Sequence, residues 1–319
     1  MSGMEQLEPR VLLSADGLLM PTLPGPMPGG PSGDPQIEAS PIVHDQPHMG
    51  VDVQSSMASR TMMFQQLALP ARYDLRDYGH VTPIRDQGAL GACWAFTTYA
   101  SLESAILAEG GATRDLSENH LANYHGFDWN KGQGGNAWLS QAYLTRGDGP
   151  VDEADDPYHP WLDYPSPGGP PQYYVRETLQ FDTDSELKTG LMQYGALYTS
   201  MYWSPAYYNA ASHTYHYGGT ARQNHGVAIV GWDDARVVPG APGTGAWLIK
   251  NSWGTGWGDG GYFWLSYHDW QGANDAFCFR DAVSPDTYDT VYYHDEFGSV
   301  GSLNPTYAFN GFTAAANQD

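Results

Sequence analysis

Gln87-Gly88-Ala89-Leu90-Gly91-Ala92-Cys93-Trp94-Ala95-Phe96 is the stretch that decides how this chain is read. A lone cysteine stands where an apolar helical pattern begins, with a glutamine six positions before it. Much further along come Asn224-His225-Gly226 and then Lys250-Asn251-Ser252-Trp253-Gly254-Thr255-Gly256-Trp257-Gly258. A cysteine, a histidine and an asparagine in that order, each in a distinctive local sequence, are the parts of a cysteine-nucleophile site.

The chemistry asks for those residue types. A thiol attacks only as thiolate, and its unperturbed pKa is about 8.5. At a helix start, unpaired backbone N–H groups and the helix dipole favour an anion on Cys93, so the expectation is a lowered pKa. His225 is placed to supply a compensating cation from another part of the chain. Its second ring nitrogen needs an acceptor, for which Asn251 is the candidate, and Trp253 is close enough in sequence to cover that bond. Attack on an amide creates an oxyanion. The Gln87 side-chain NH2 and the Cys93 backbone N–H are candidate donors, each worth roughly 3–4 kcal/mol in barrier height.

From about Tyr73 to about Cys278 the chain resembles the papain family of cysteine peptidases. Tyr73-Asp74-Leu75-Arg76 resembles the mature start of that family, and Val81-Thr82-Pro83-Ile84-Arg85-Asp86-Gln87-Gly88 the run into the glutamine. Leu116-Ser117-Glu118 and Gly134-Gly135 resemble two further landmarks. The resemblance implies an α+β fold of two lobes. A helical lobe spans about 70–175, an antiparallel, barrel-like β lobe about 176–283, and the active-site cleft lies between them. It implies Cys93 as nucleophile, His225 as general base and acid, Asn251 as its orienter, Gln87 in the oxyanion hole and Trp253 as shield. The substrate is a polypeptide bound extended, with Gly135 pairing with its backbone as a short strand and Gly134 beside it among the substrate-binding residues. Asn136, Ala137, Gly226 and Val283 contribute to the main selectivity pocket. No cofactor or metal is implied, and the chain is expected to be a monomer. Two other readings stay open. One is a catalytically silent surface or adhesion module on a peptidase fold, against which the intact Gln87, Cys93, His225 and Asn251 set argues. The other is a transpeptidase using the same acyl-enzyme.

The chain departs from the family pattern in two places. Leu90 stands where a disulfide-forming cysteine is usual, and the chain has only two cysteines, Cys93 and Cys278. Joining them would consume the nucleophile, so no structural disulfide is expected and Cys278 reads as a buried apolar thiol. Asp233 to Gly245, rich in Gly and Pro, reads as an inserted surface loop resembling that of bacterial and archaeal members.

Periodicity predicts a helix from Cys93 to Gly110-Gly111, a short one capped by Ser117 and running toward Tyr124, a third over Asn136 to Leu144 and a fourth from near Ser185 to Tyr194. Strands are predicted over Ala196 to Trp203, Gly226 to Trp232, Gly245 to Asn251 and Gly261 to Tyr267. The tyrosine-rich run Tyr198 to Tyr217 reads as wall and core bordering the primed side of the cleft. Asp152 to Asp156 reads as a solvated acidic turn.

Composition bounds the function. The 319 residues leave room for one large domain with flanks, and 41% apolar content with 11 Trp is ample for a core. The net charge of −22 argues against nucleic acid and against an anionic membrane surface as partners. There is no apolar run of membrane-spanning length, so membrane insertion is not expected. His213, His216 and His225 lack a second liganding cluster of recognised zinc spacing. Asp128-Trp129-Asn130-Lys131-Gly132 lacks the glycine and distal glutamate of a calcium loop.

The flanks read differently. Residues 1–69 form a Pro/Gly-rich, largely disordered segment or pro-segment. Leu7-Glu8-Pro9-Arg10-Val11-Leu12-Leu13-Ser14 resembles an N-terminal signature of large exported bacterial proteins, implying an extracellular or cell-surface location reached without a cleaved N-terminal signal. Met57 to Leu69 reads as a short helix. Residues 284–319, through the strand-like Asp289-Thr290-Val291-Tyr292-Tyr293-His294-Asp295, resemble the opening of a lectin-like β-domain or form a tail. The chain therefore reads as a piece of a longer protein with downstream domains.

Overall fold

The computed structural model describes residues 69–127, 129–161, 166–269, 272–273 and 275–287. The signature at Leu7 to Ser14, the Pro/Gly-rich stretch and the strand-like Asp289 to Asp295 lie outside these residues.

Helix α1, Cys93–Ala108, runs through the middle of the fold. Every residue from Cys93 to Ile106 is buried, which is the signature of a helix covered on all sides rather than an amphipathic surface helix. Two of its hydroxyls bond back within the helix: Thr97 Oγ1 donates to Cys93 O and Thr98 Oγ1 to Trp94 O, both at 2.8 Å. Helix α2, Glu118–Tyr124, starts at Ser117, whose side chain accepts from His120 N. Helix α3, Ala137–Arg146, starts at Asn136 and stops at Gly147 in the left-handed region (φ 82°). Helix α4, Asp184–Tyr194, is opened by a reciprocal capping box of Thr183 and Glu186. The four predicted helices are thus present, and three of them, α2, α3 and α4, begin at a side-chain cap.

Among the described residues nine strands form one sheet: β1 Arg72–Asp74, β2 Tyr174–Phe181, β3 Leu197–Met201, β4 Tyr208–Asn209, β5 Thr214–Tyr215, β6 His225–Val237, β7 Thr244–Lys250, β8 Tyr262–Ser266 and β9 Ala276–Val283. Their order is β2-β9-β3-β6-β7-β8-β5-β4, with β1 paired on β6. All pairings are antiparallel except β5 with β8. The sheet is mixed and, among the described residues, does not close into a barrel, so the barrel-like expectation for the β lobe is replaced by an open path. Strands β2 and β9 were not predicted. Glu177 pairs with Arg280 and the mixed residues along both strands blur the two-residue alternation.

The stretch Asp233 to Gly245 is not a simple loop. Strand β6 continues through a register shift to Val237, which pairs with Thr244 across the turn. Side chains hold this ribbon down. The Arg236 guanidinium lies over the Trp264 ring at 4.7 Å, and Lys188 Nζ reaches Asp234 Oδ1 at 2.6 Å.

Two apolar cores flank α1. One is built from Trp94, Tyr99, Leu102, Leu121 and Tyr143 around the helices. The other, around Trp232, Trp247, Ile249, Phe263 and Leu265, fills the sheet lobe. Both cysteines are free and buried. The acidic turn also differs from expectation. Asp156 is fully buried, and its carboxylate accepts from Asn119 Nδ2 at 2.6 Å and from the Ser166 hydroxyl. The negative run is therefore partly folded inward, where polar partners satisfy it. Among the described residues no helix is long and apolar enough to cross a membrane.

Candidate active site

Cys93 is the first residue of α1, and the preceding Ala92 offers no side-chain cap. The leading N–H groups of the helix are consequently left for another acceptor, and the buried Sγ is the one at hand. Gly226 N donates to Cys93 Sγ at 3.3 Å, tying the first turn of α1 to the start of β6. A side chain at position 226 would crowd that approach. A Cβ at position 226 would stand 3.3 Å from both Thr97 Oγ1 and Trp94 Cα.

His225 opens β6 and is buried. Its Nε2 lies 2.8 Å from Asn251 Oδ1. Asn251 follows β7 and is fixed by its own N–H to Gly261 O at 3.0 Å. With a carbonyl oxygen facing Nε2, that nitrogen carries the proton, and Nδ1 is the nitrogen left for exchange with the thiol. Trp253 stacks on the imidazole, centroids 4.6 Å apart and planes inclined by 22°. Trp203 and Trp257 pack edge-on against Trp253, each at 4.8 Å. The His225–Asn251 bond is thus roofed by an aromatic wall.

Gln87 is held at each of its polar groups. Its backbone N–H donates to Ser252 O at 2.9 Å, and its Oε1 accepts from Ser252 Oγ at 2.6 Å. Its Nε2 donates to Leu90 O at 2.8 Å, which uses one of the two amide hydrogens and leaves the other for an oxyanion. Ser252 escaped the sequence reading as a site residue, although it sits inside the quoted Lys250 to Gly258 motif.

Burial governs the electrostatics. Desolvation pushes the Cys93 thiol up, opposed by the backbone N–H groups of Gly226, Trp94 and Cys93 itself. Desolvation pushes His225 down to about 4, opposed by its bond to Asn251. The sequence reading expected a lowered thiol, because helix position is legible in sequence and depth of burial is not. Each group alone is held neutral. Transfer of the proton from sulfur to Nδ1 creates both charges together, and each then compensates the other.

Gly134 and Gly135 lie beside this site, buried, with Gly134 in the left-handed region (φ 86°). A Cβ on Gly135 would fall 2.3 Å from the Trp94 ring. Asn136 is occupied as a helix cap, its Oδ1 accepting from Trp138 N and Leu139 N at 3.0 Å. Ala137 is packed in the helical-lobe core. Behind Asn251 lies a cavity of about 20 Å³, on the order of a single water, lined by Arg85, Glu103, Glu118 and Lys250 among others. Lys250 Nζ reaches Thr82 Oγ1 at 3.0 Å, and that hydroxyl donates to Glu103 Oε2 at 2.6 Å. Burial raises both glutamates and lowers the lysine. Among the described residues no group of three or more His, Cys, Asp or Glu could hold a metal ion. His213 instead faces the Tyr208 hydroxyl at 3.0 Å through Nδ1.

A two-lobe fold with a helix-borne cysteine met by a strand-borne histidine across the lobe junction defines a cysteine protease architecture. The profile described as "Papain family cysteine protease" matches residues 69–277, and the chain belongs to that family. Among curated relatives, thiol protease aleurain of Arabidopsis thaliana is 33% identical over 206 residues, 62% of this chain and 56% of that protein. A cysteine protease of the mite Blomia tropicalis is 30% identical over 208 residues, 61% of this chain and 60% of that one. The chain thus spans 60% or less of the length of these two relatives. A solved structure of the cysteine protease and lectin-like domains of Cwp84, a surface layer associated protein of Clostridium difficile, is similar with a TM-score of 0.64 and 30% identity. That similarity covers 69% of this chain and 53% of the other.

Proposed function

We propose that this chain is a working cysteine peptidase that hydrolyses peptide bonds of polypeptides bound extended between the lobes. One observation carries the reading: His225 Nε2 is locked on Asn251 Oδ1 at 2.8 Å while the neighbouring Gly226 N–H holds Cys93 Sγ. This commits Nδ1 to the thiol. In the proposed cycle His225 takes the thiol proton and sulfur attacks the scissile carbonyl. The oxyanion is stabilised by the remaining Gln87 amide hydrogen and the Cys93 N–H. The imidazolium then protonates the departing amine as the C–N bond breaks, leaving a thioester on Cys93. Water, deprotonated by His225, releases the acid. Gly134 and Gly135 are proposed to run against the substrate backbone.

The chain is further proposed to act outside the cell or at its surface, as part of a longer protein with a following lectin-like domain. The resemblance of Leu7 to Ser14 to an export signature supports this, as does similarity to a surface-layer-associated protease that carries such a domain.

The test is turnover. The purified chain is incubated with a peptide mixture and the products are read by mass spectrometry, with and without an added amine nucleophile. Hydrolysis products lost in Cys93→Ala support the reading. Amine-capped products in place of acids would transfer it to a transpeptidase, and no product from a folded chain would leave a silent module.

A further inference from the structure

We propose that Tyr158 is a positioning residue for the oxyanion hole, acting as a strut from the helical lobe onto Gln87; this deepens, and rests on, the peptidase reading above. The Tyr158 hydroxyl donates to the main-chain oxygen of Gln87 at 2.8 Å. Its ring meets Phe96, one turn beyond Cys93, edge-on at 4.7 Å, and packs on the small cluster of Leu90, Ala92 and Phe96. Both cysteines are free, so contact rather than a disulfide braces this loop.

The strut is itself anchored. Tyr158 N donates to Glu153 Oε1 at 2.8 Å, and Glu153 N donates to Asp115 O at 2.8 Å. Lys131 Nζ donates to the neighbouring His159 O at 2.6 Å and lies over the Tyr158 ring at 4.9 Å. Asp156, two residues before Tyr158, is buried and bonded by Asn119. Pro160 closes over Gly88, where a Cβ would fall 2.6 Å from the proline. Opposite this strut, Ser252 holds Gln87 from the sheet lobe through both its carbonyl and its hydroxyl. Gln87 is therefore clamped from two lobes, and its outgoing amide hydrogen is aimed by both. An oxyanion donor is effective only when aimed before the charge develops, so loosening one clamp weakens the transition state and leaves ground-state binding alone.

The test compares the full chain with its Tyr158→Phe variant, which keeps the ring and removes only the hydroxyl. The expected result is a fall of roughly tenfold in kcat with KM changed by less than about twofold. Affinity for a peptide aldehyde should fall in parallel, because Cys93 Sγ adds to its carbonyl carbon and places a developing oxyanion in the same hole. Alkylation of Cys93 by iodoacetamide forms an S–C bond, expels iodide and creates no oxyanion, so its rate should stay unchanged. In a Gln87→Ala background, where the donor is already gone, Tyr158→Phe should have no further effect on kcat. Unchanged kcat and aldehyde affinity would overturn the assignment, as would alkylation falling in step with kcat or a further tenfold loss in the Gln87→Ala background. Turnover and labelling of the unsubstituted chain report on the peptidase reading alone. If they are absent, both readings fail; if they are present with an unaffected Tyr158→Phe variant, only the strut fails.

Discussion

His225 and Asn251 are joined through a single 2.8 Å contact from ring Nε2 to side-chain Oδ1, inside a pocket roofed by the Trp253 indole. That contact fixes the ring orientation and the tautomer together, because a carbonyl oxygen can only accept. The same Oδ1 also accepts from Ser252 N at 2.9 Å, so the acceptor is itself held in place.

Asn251→Ala should therefore lower kcat/KM by roughly ten- to a hundredfold, the equivalent of about 1–3 kcal/mol for a buried donor left without its acceptor. Some activity should survive, since Cys93 and His225 remain, whereas Cys93→Ala should abolish turnover and leave the fold intact. Steady-state kinetics and thermal melts of the two variants check this ordering.

The depressed basicity of His225 has a definite sign. Its folded value, about 4, lies below the usual histidine value near 6.5. Its contribution to stability is fully present above about 6.5 and is lost as the pH falls through about 4, where the buried ring finally accepts a proton. In Cys93→Ala no thiolate can hold a proton on the ring, so the imidazole should titrate near 4 by NMR. A midpoint near 6.5 would mean that the ring is solvated.

Gly135→Ala tests the close approach between the double glycine and the nucleophile's neighbour. The added Cβ would fall 2.3 Å from the Trp94 ring, and that ring is buried and cannot swing aside. Overpacking of this kind costs about 1–3 kcal/mol. A lowered melting temperature accompanied by slower turnover is the expected outcome, measured by calorimetry and peptide cleavage.

Glu153 offers a pH test away from the catalytic pair. Burial pushes its carboxyl up to about 7, and its Oε2 has no partner among the described residues. The folded state thus favours the protonated acid. This contribution is fully present below the usual carboxylate value, about 4.3, and is lost as the pH rises through about 7. Glu153→Gln keeps the acceptor for Tyr158 N, so it should melt higher than the parent at pH 8 and match it near pH 4. Equal melting curves at both pH values would contradict this.

The candidate site residues were legible because each sits in a local signature. Cys93 opens an apolar helical run, His225 precedes a glycine and a β-rich stretch, and Asn251 lies in a Trp/Gly-rich segment. The start of the second helix was legible from Ser117, whose capping chemistry is local. The remainder depended on distance. Nothing near Asp156 announces that Asn119 and Ser166 will bury it, and nothing near Tyr158 announces a bond to Gln87, 71 positions earlier. Strands β2 and β9 escaped because Glu177, Arg280 and their neighbours mix charge into strands whose pairing supplies their order. The raised thiol of Cys93 escaped because depth of burial follows from packing and not from position in a helix.

The central claim is that His225 activates Cys93, and labelling with an irreversible thiol-directed peptidyl epoxide tests it most directly. Peptide mapping should find the adduct on Cys93 and none on Cys278, whose thiol burial pushes up to about 12. The adduct should disappear in His225→Ala while the variant stays folded. Equal labelling of both cysteines, or undiminished labelling of Cys93 without His225, would contradict the account.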